Sequence, residues 1–261
     1  MNEDSRITAT KQRYNFDTWP ISQDRFNGLL FRDLHFSSYQ AQSIDFVPKT
    51  PVIVSFAGED KVNRFVIEIT VRDSVAEARE KLVEYLTFIS SAKLIPTTQE
   101  KGIHAGDIGF VGVSGSGNYA WIAFVRGNIC IRVVCLDPRV QPSPDLGYLA
   151  EKTDEIIRSQ QKLAGGAALS RPVISVFTAD KGSYKAGDII PLNLQVDNPS
   201  GKPETYKWVI GNSGQGYVEM DKHGRWNLHT TKSGIFDVTC YVLGPRCTYS
   251  SKPISVSVAD K

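Results

Sequence analysis

The chain has no long apolar run and almost no excess of charge. Its most apolar continuous run, residues 119–125, is far shorter than the roughly 20 residues that a membrane-spanning helix needs. Lysine and arginine number 30 against 28 aspartates and glutamates, a formal net charge of +2 over 261 residues. So small a basic excess gives no reason to expect nucleic acid or an anionic membrane as a partner. The composition predicts a folded protein without a transmembrane segment.

Cysteine is scarce, because four residues are too few for a disulfide scaffold. Cys130 and Cys135 fall on opposite faces of one predicted strand, so they cannot bond to each other. Cys240 and Cys247 flank a predicted hairpin tip, where a disulfide would need a bulge in one strand. The alternative is two buried free thiols that pack as small hydrophobic groups.

A secretory signal is also missing from the start of the chain, since acidic residues follow Met1 and no apolar segment comes after them. Two interpretations remain open. Either the protein stays in the cytoplasm, or an export segment has been removed. The Ig-like resemblance described below favours the second, so we expect an extracytoplasmic location in the periplasm or at the cell surface.

No motif for catalysis or metal binding occurs. The four histidines form neither H-x-x-x-H nor H-E-x-x-H, no cysteine pair has the C-x-x-C spacing, and no G-x-S-x-G elbow is present. The glycine-rich residues 109–118 lead into a strand pattern and contain no lysine, unlike a phosphate-binding loop. We therefore predict no catalytic residue, no metal site and no cofactor.

The chain divides at residues 164–171, where small flexible residues end before Pro172. Residues 1–163 alternate strand patterns with two helical patterns, whereas residues 172–261 contain only short strands. The sequence thus predicts an α+β domain, an antiparallel sheet with two packed helices, followed by an all-β immunoglobulin-like sandwich.

In the first domain, one helix is predicted over residues 74–93, opened by the capping box of Ser74 and Glu77. A second is predicted over residues 145–163 with Asp145 as its N-cap. Between them, residues 119–126 and 129–136 form a hairpin across the two-residue turn Gly127-Asn128. One surface of this hairpin is almost wholly apolar, and we expect the first helix to pack on it.

The second domain has strand candidates at short, even spacing. They are residues 173–177, 189–196, 205–210, 216–220, 225–230, 235–242 and 247–258. Their number and spacing are typical of a β-sandwich.

Three runs of this domain carry a resemblance to a known family: YKAGDI at 184–189, YKW at 206–208 and GIFDVT at 234–239. This last third of the chain resembles a bacterial immunoglobulin-like domain of the PKD type, in which Tyr-x-Trp on the third strand supplies the core indole. Trp208 is that indole here. Phe236 occupies a position where Tyr is commoner, and Ile210-Gly211-Asn212 replaces the usual Gly-Asp-Gly turn. The resemblance implies an extracytoplasmic spacer or adhesive module that is rarely catalytic.

The candidate binding residues are aromatic side chains and one arginine. Tyr119, Trp121 and Arg132 share the other, mixed surface of the hairpin, where rings and a planar cation could stack on a sugar or anchor a protein. Trp226, beside Arg225 on a short strand, is a second exposed-aromatic candidate. The alternative is that the second helix covers the mixed surface and makes Trp121 a core residue.

These features lead to one main hypothesis and two alternatives. The main one is a non-catalytic extracytoplasmic binding or assembly protein whose ligand is a glycan or another protein. The first alternative is an enzyme, such as a polysaccharide hydrolase, with a site built in the first domain. The second is a structural subunit of an assembly.

Overall fold

The computed structural model describes residues 3–19, 22–88, 93–97, 103–137, 145–165, 169, 171–180, 182–199, 205–211 and 215–261. The chain is mostly β-structure, with three α-helices in these residues and several antiparallel sheets. Contacts between Cα atoms divide it into two compact units, Met1–Leu169 and Ser170–Lys261. Within the described residues, no helix is long and apolar enough to span a bilayer.

One antiparallel sheet forms the centre of the first unit. The helices are α1 (Glu3–Arg13), α2 (Val75–Phe88) and α3 (Leu146–Ser159). The strands are β1 (Gln40–Phe46), β2 (Val52–Ala57), β3 (Asn63–Val71), β4 (Lys93–Pro96), β5 (Ile108–Val113), β6 (Tyr119–Arg126) and β7 (Ile129–Cys135). Their order in the sheet is β1-β2-β3-β7-β6-β5-β4, so the predicted hairpin β6–β7 is central.

The predicted register of that hairpin is confirmed. Arg126 pairs with Ile129 and Phe124 pairs with Ile131, as a two-residue turn requires. Gly127 adopts a left-handed conformation with φ of 53°, which glycine takes without a steric penalty. The loop length and the alternation of side chains were therefore sufficient to fix the pairing.

The helices differ from the prediction in number, in length and in placement. α1 was not predicted, because its eleven residues bury no side chain and carry no apolar stripe. Helix α2 begins after Ser74, whose hydroxyl accepts a hydrogen bond from the N–H of Glu77. The predicted end of this helix at residue 93 is wrong, because Lys93 is the first residue of β4. Helix α3 keeps its predicted cap on Asp145 but ends at Ser159.

Helices α2 and α3 lie on opposite faces of the sheet. α2 packs on the mixed face that carries Trp121 and Ala123, whereas Asp154 of α3 binds Arg126 on the other face. The prediction that the first helix covers the apolar face is wrong, and so is the alternative that the second helix covers the mixed one. Consecutive residues of β6 are buried, so both faces of the sheet are covered at this strand. The composition of the two faces therefore did not indicate which helix packs on which face.

The Gly127-Asn128 turn is buried rather than exposed. Asn128 has no accessible surface, and its side chain binds backbone groups from two distant segments. Its Oδ1 accepts the N–H of Phe26 at 2.5 Å, while its Nδ2 donates to the carbonyls of Phe26 at 3.2 Å and Arg72 at 2.9 Å. One amide thus ties the N-terminal segment and the end of β3 to the central hairpin.

A buried ionic group supports the same turn from its other side. Arg126 donates two hydrogen bonds to the carboxylate of Asp154, at 2.8 and 2.7 Å, and a third to Asp107. Asp107 also accepts the N–H of Gly127 at 2.8 Å. These carboxylates raise the pKa of Arg126 above its ordinary value, and the main cause is the hydrogen bonds that its guanidinium donates to Asp154.

The second unit consists of two four-stranded sheets around one hydrophobic core. Its strands are β8 (Val173–Ala179), β9 (Tyr184–Lys185), β10 (Ile189–Asp197), β11 (Thr205–Ile210), β12 (Gly216–Met220), β13 (Trp226–Thr230), β14 (Gly234–Leu243) and β15 (Tyr249–Ala259). One sheet has the order β12-β13-β10-β8 and the other the order β11-β14-β15-β9. Buried residues from both sheets, among them Phe177, Leu228 and Phe236, form the shared core.

Trp208 packs in that core beside Phe177 and Trp226, with ring centroids 5.6 and 5.2 Å apart. Val242 pairs with Ser250, and Cys247 lies in the turn with φ of 58°. All four cysteines are buried, and none of them forms a disulfide. Burial raises the pKa of Cys130 and that of Cys240 to about 12, so neither is a reactive thiolate at neutral pH.

Replacing Asn128 with alanine should destabilise the first unit strongly. The variant leaves the buried N–H of Phe26 and two buried carbonyls without their partner, and each such group costs about 1 to 3 kcal/mol. Urea denaturation followed by circular dichroism measures the loss, which we expect to reach about 3 kcal/mol. Asn63→Ala, at an exposed position of β3, is the control. Equal stability of the two variants would show that the turn does not organise the unit.

Candidate functional site

The predicted platform on the hairpin is covered by α2. Trp121 is only 4 % exposed and belongs to the cluster that Ala78 and Leu82 of α2 form with the sheet. Its indole lies over Gly112, where an added Cβ would come within 2.1 Å of the ring. Glycine at this position therefore makes room for the tryptophan, as a close approach of two strands in a core requires.

Arg132 is held inside the same interface. Its guanidinium donates two hydrogen bonds to the carboxylate of Glu68, one of them at 2.8 Å, and lies 4.9 Å from the ring centroid of Tyr85 on α2. Burial raises the pKa of Tyr85. The charge of Arg132 is thus neutralised and its flat face is already stacked, so both features that would attract a ligand are engaged.

The structure therefore gives Trp121 and Arg132 the contacts of core residues, with Tyr119 half-buried at the start of β6. That these three residues bind a ligand stays a prediction. Trp226 is half-buried as well, and its ring faces the interior of the second unit, 5.4 Å from that of Tyr206. Trp121, Arg132 and Trp226 therefore have their rings or guanidinium group engaged within the protein.

An open surface exists elsewhere, at one edge of a sheet in the second unit. Sheet edges expose unpaired backbone groups, and proteins often block them with charged side chains (lysine above all), proline, bulges, very short strands or a covering element. Five of the six edge strands among the described residues contain lysine, proline or a bulge, or are very short. β4 contains Lys93 and Pro96, β1 has a bulge between Ala41 and Ser43, β11 contains Lys207, and β9 is two residues long.

The edge strand β8 is blocked twice. Ser175 is an extra residue in its pairing with β10, which makes a bulge. The backbone carbonyl of Ser175 also accepts a hydrogen bond from the ammonium of Lys252 at 3.3 Å. The edge of this sheet at β8 is thereby closed to another strand.

The remaining edge strand, β12, has no lysine, proline or bulge, and Glu219 is its one charged residue. It pairs regularly with β13 from Gly216 to Met220, without a bulge, and its sequence GYVEM contains neither lysine nor proline. Tyr217 and Met220 are each 53 % exposed. An unblocked, regular strand with exposed apolar side chains is the kind of edge that pairs with another chain.

The backbone of β12 presents its free groups at Val218. Thr231 donates to the carbonyl of Gln215, and Asp221 donates to that of Arg225, so the odd-numbered positions of this ladder form the hydrogen-bonded pairs. The N–H and C=O of Tyr217 and Glu219 therefore point to β13. Those of Val218 point away from β13, and among the described strands none pairs with β12 on that side.

Two stacked rings stand on the outer face at this edge. Tyr217 and His229 are directly opposite each other in the ladder, with ring centroids 4.6 Å apart and planes 2° from parallel. On the other side, His229 pairs with Ile189, which is 58 % exposed. Because the imidazole covers only one face of the phenol ring, the other face of Tyr217 is open beyond the edge of the sheet.

The charge beside these rings is negative. Glu219 follows Tyr217 on the same face, its side chain is 64 % exposed, and its carboxylate lies 3.8 Å from Nε2 of His229.

Other kinds of site were also sought in the described chain. There, no group of three or more His, Cys, Asp or Glu side chains could hold a metal ion. A shallow depression between α1 and α2 is lined by Glu3, Arg6, Glu84 and Phe88, and the guanidinium of Arg6 already lies over the Phe88 ring.

No protein-family model and no curated protein matches the chain.

The sequence correctly predicted the strand β12 but did not indicate that this strand lies at the edge of a sheet. Residues 216–220 were predicted as a strand, and the structure has β12 at the same residues. Which strand lies at an edge depends on pairing with distant strands, and one sequence does not reveal that order. The available signal was a strand candidate that contains neither lysine nor proline.

Trp121→Ala should lower the stability of the first unit by about 3 to 5 kcal/mol, because it leaves a cavity beneath α2. Trp121→Phe should cost less, since it keeps most of the ring and the indole N–H has no hydrogen-bond partner among the described residues. Chemical denaturation of both variants measures the difference. A Trp121→Ala protein as stable as the parent would contradict the core role of Trp121 and would make its side chain a candidate for ligand binding again.

Proposed function

We propose that the protein is a non-catalytic binding protein of the extracytoplasmic space and that β12 is its recognition edge. The observation that carries the proposal is the exposed, unblocked strand on which the ring of Tyr217 has one face covered by His229 and the other open. An ordered ring costs less conformational entropy on binding than a mobile one, which makes it a suitable anchor for a ligand. The ligand is a glycan or another protein.

We further propose that the second unit is an immunoglobulin-like sandwich of the PKD type. Support comes from its two four-stranded sheets with one core and from the position of Trp208 between Phe177 and Trp226. Domains of that family are mostly extracytoplasmic and serve as spacers or adhesive modules. This resemblance is the basis for the proposed location and for the proposed binding role.

The geometry of the first unit gives the enzyme alternative no support. Asp107 and Asp154 approach each other, yet both bind the guanidinium of Arg126 and Asp154 has no accessible surface. A general acid or base must reach a substrate, whereas these carboxylates are used to hold a turn and a helix in place. We propose that the first unit has a structural role.

A two-part ligand screen tests the proposal. The labelled full chain is applied to an array of neutral polysaccharides and to a library of displayed random peptides, and each ligand found is measured again with Tyr217→Ala. We expect a ligand from one of the two screens whose binding falls at least about tenfold in this variant, while the melting temperature stays unchanged because Tyr217 is half exposed.

Ile235→Ala is the matched control for that screen. Ile235 is also a large apolar residue on an outer strand face, 60 % exposed, but it lies on β14 in the other sheet. It should leave binding intact. Ligands that bind equally well to Tyr217→Ala and to the parent would contradict a recognition role for β12.

A further inference from the structure

We infer that the ligand of β12 is an extended polypeptide segment that pairs with this edge as an added strand. The inference rests on the proposed function and names the class of ligand for the same site. It also specifies the chemistry of the segment, which should place an apolar or aromatic residue against Tyr217 and a basic residue against Glu219.

The backbone of the edge favours a peptide over a sugar. Val218 presents one N–H donor and one carbonyl acceptor together, and the ladder repeats such a pair every second residue, about 7 Å apart. Only another extended backbone offers an acceptor and a donor at the same spacing. Such strand addition takes its affinity from the backbone and its selectivity from alternate side chains.

The ring stack identifies the first side chain of the partner. A residue opposite Tyr217 on an added antiparallel strand would occupy a non-hydrogen-bonded pair, in which Cα atoms are only about 4.5 Å apart and side chains are close. It would continue the row that already contains Tyr217, His229 and Ile189. Since His229 covers one face of Tyr217, the incoming side chain meets the open face, which suits an aromatic or aliphatic group.

Charge complementarity identifies the second side chain. Glu219 lies two positions from Tyr217 on the same face, with its carboxylate largely in solvent. Opposite charges directly across a strand pair are favourable, whereas like charges are unfavourable. In the antiparallel orientation the partner segment therefore reads basic–any–aromatic from its N-terminus, because its sequence runs against that of β12.

A short designed peptide provides the probe. We expect a capped peptide with the core Lys-Val-Phe to bind the full chain in a fluorescence polarisation assay. Glutamate in place of its lysine should weaken binding about threefold or more, because two carboxylates would then face each other. Methylation of the backbone nitrogen at the central valine, which faces Val218, should weaken binding about tenfold, because it removes a ladder hydrogen bond.

A charge exchange separates a specific pair from general attraction. The Glu219→Lys protein should prefer the glutamate peptide and discriminate against the lysine peptide. Glu59→Lys changes the net charge equally at an exposed position of the first unit and should leave the original preference unchanged. A preference that follows net charge in both variants would overturn the assignment of Glu219.

Two further outcomes distinguish this inference from the proposed function. Equal affinity of the methylated and unmethylated peptides, or a Tyr217-dependent ligand found only among polysaccharides, would overturn strand addition and leave β12 as the recognition edge. Absence of any Tyr217-dependent ligand would overturn both.

Discussion

Backbone N–H and C=O groups must find hydrogen-bond partners, and this requirement shapes both units of the protein. Inside a sheet the neighbouring strands supply those partners, so the requirement becomes acute at turns and at sheet edges. In the first unit it is met at the buried Gly127-Asn128 turn, where the side chain of Asn128 binds backbone groups of Phe26 and Arg72. The edges are treated differently: among the strands that the structure describes, lysine, proline, a bulge or a very short length marks five of the six edges, and β12 has none of these four features.

The same requirement explains why charged groups are buried at the hairpin. Arg126 reaches the turn only because Asp107 and Asp154 neutralise it, and Asp107 in turn accepts the N–H of Gly127. A buried charge without a partner would cost several kcal/mol, so these three residues must be present together. Arg132 follows the same rule with Glu68 beneath α2. Pairs of this kind turn a mixed sheet surface into one that a helix can cover.

Local patterns in the sequence predicted much of this fold. The Gly127-Asn128 spacing fixed the register of β6 and β7, the caps at Ser74 and Asp145 marked two helix starts, and alternation identified most strands. Features that depend on distant contacts were not predictable in this way. The side of the sheet on which α2 packs was one of them, because both faces of β6 are apolar enough to be buried.

The candidate site illustrates the same limit more sharply. Aromatic content pointed to Trp121 and Trp226, yet a large ring also buries much apolar area in a core, and both rings pack inward. Tyr217 was less conspicuous, since its exposure follows from the position of β12 at the end of a strand order that one sequence does not reveal. Exposure and free backbone groups, rather than residue type, distinguish this edge.

Residue-resolved amide hydrogen exchange of the free protein tests the central claim most directly, because it reports whether the edge at β12 is open. The account predicts that the amides of Tyr217 and Glu219, which face β13, are protected, whereas the amide of Val218 between them exchanges at nearly the rate of an unstructured chain. Protection of Val218 equal to that of its two neighbours would show that another group already covers this edge and would contradict the account.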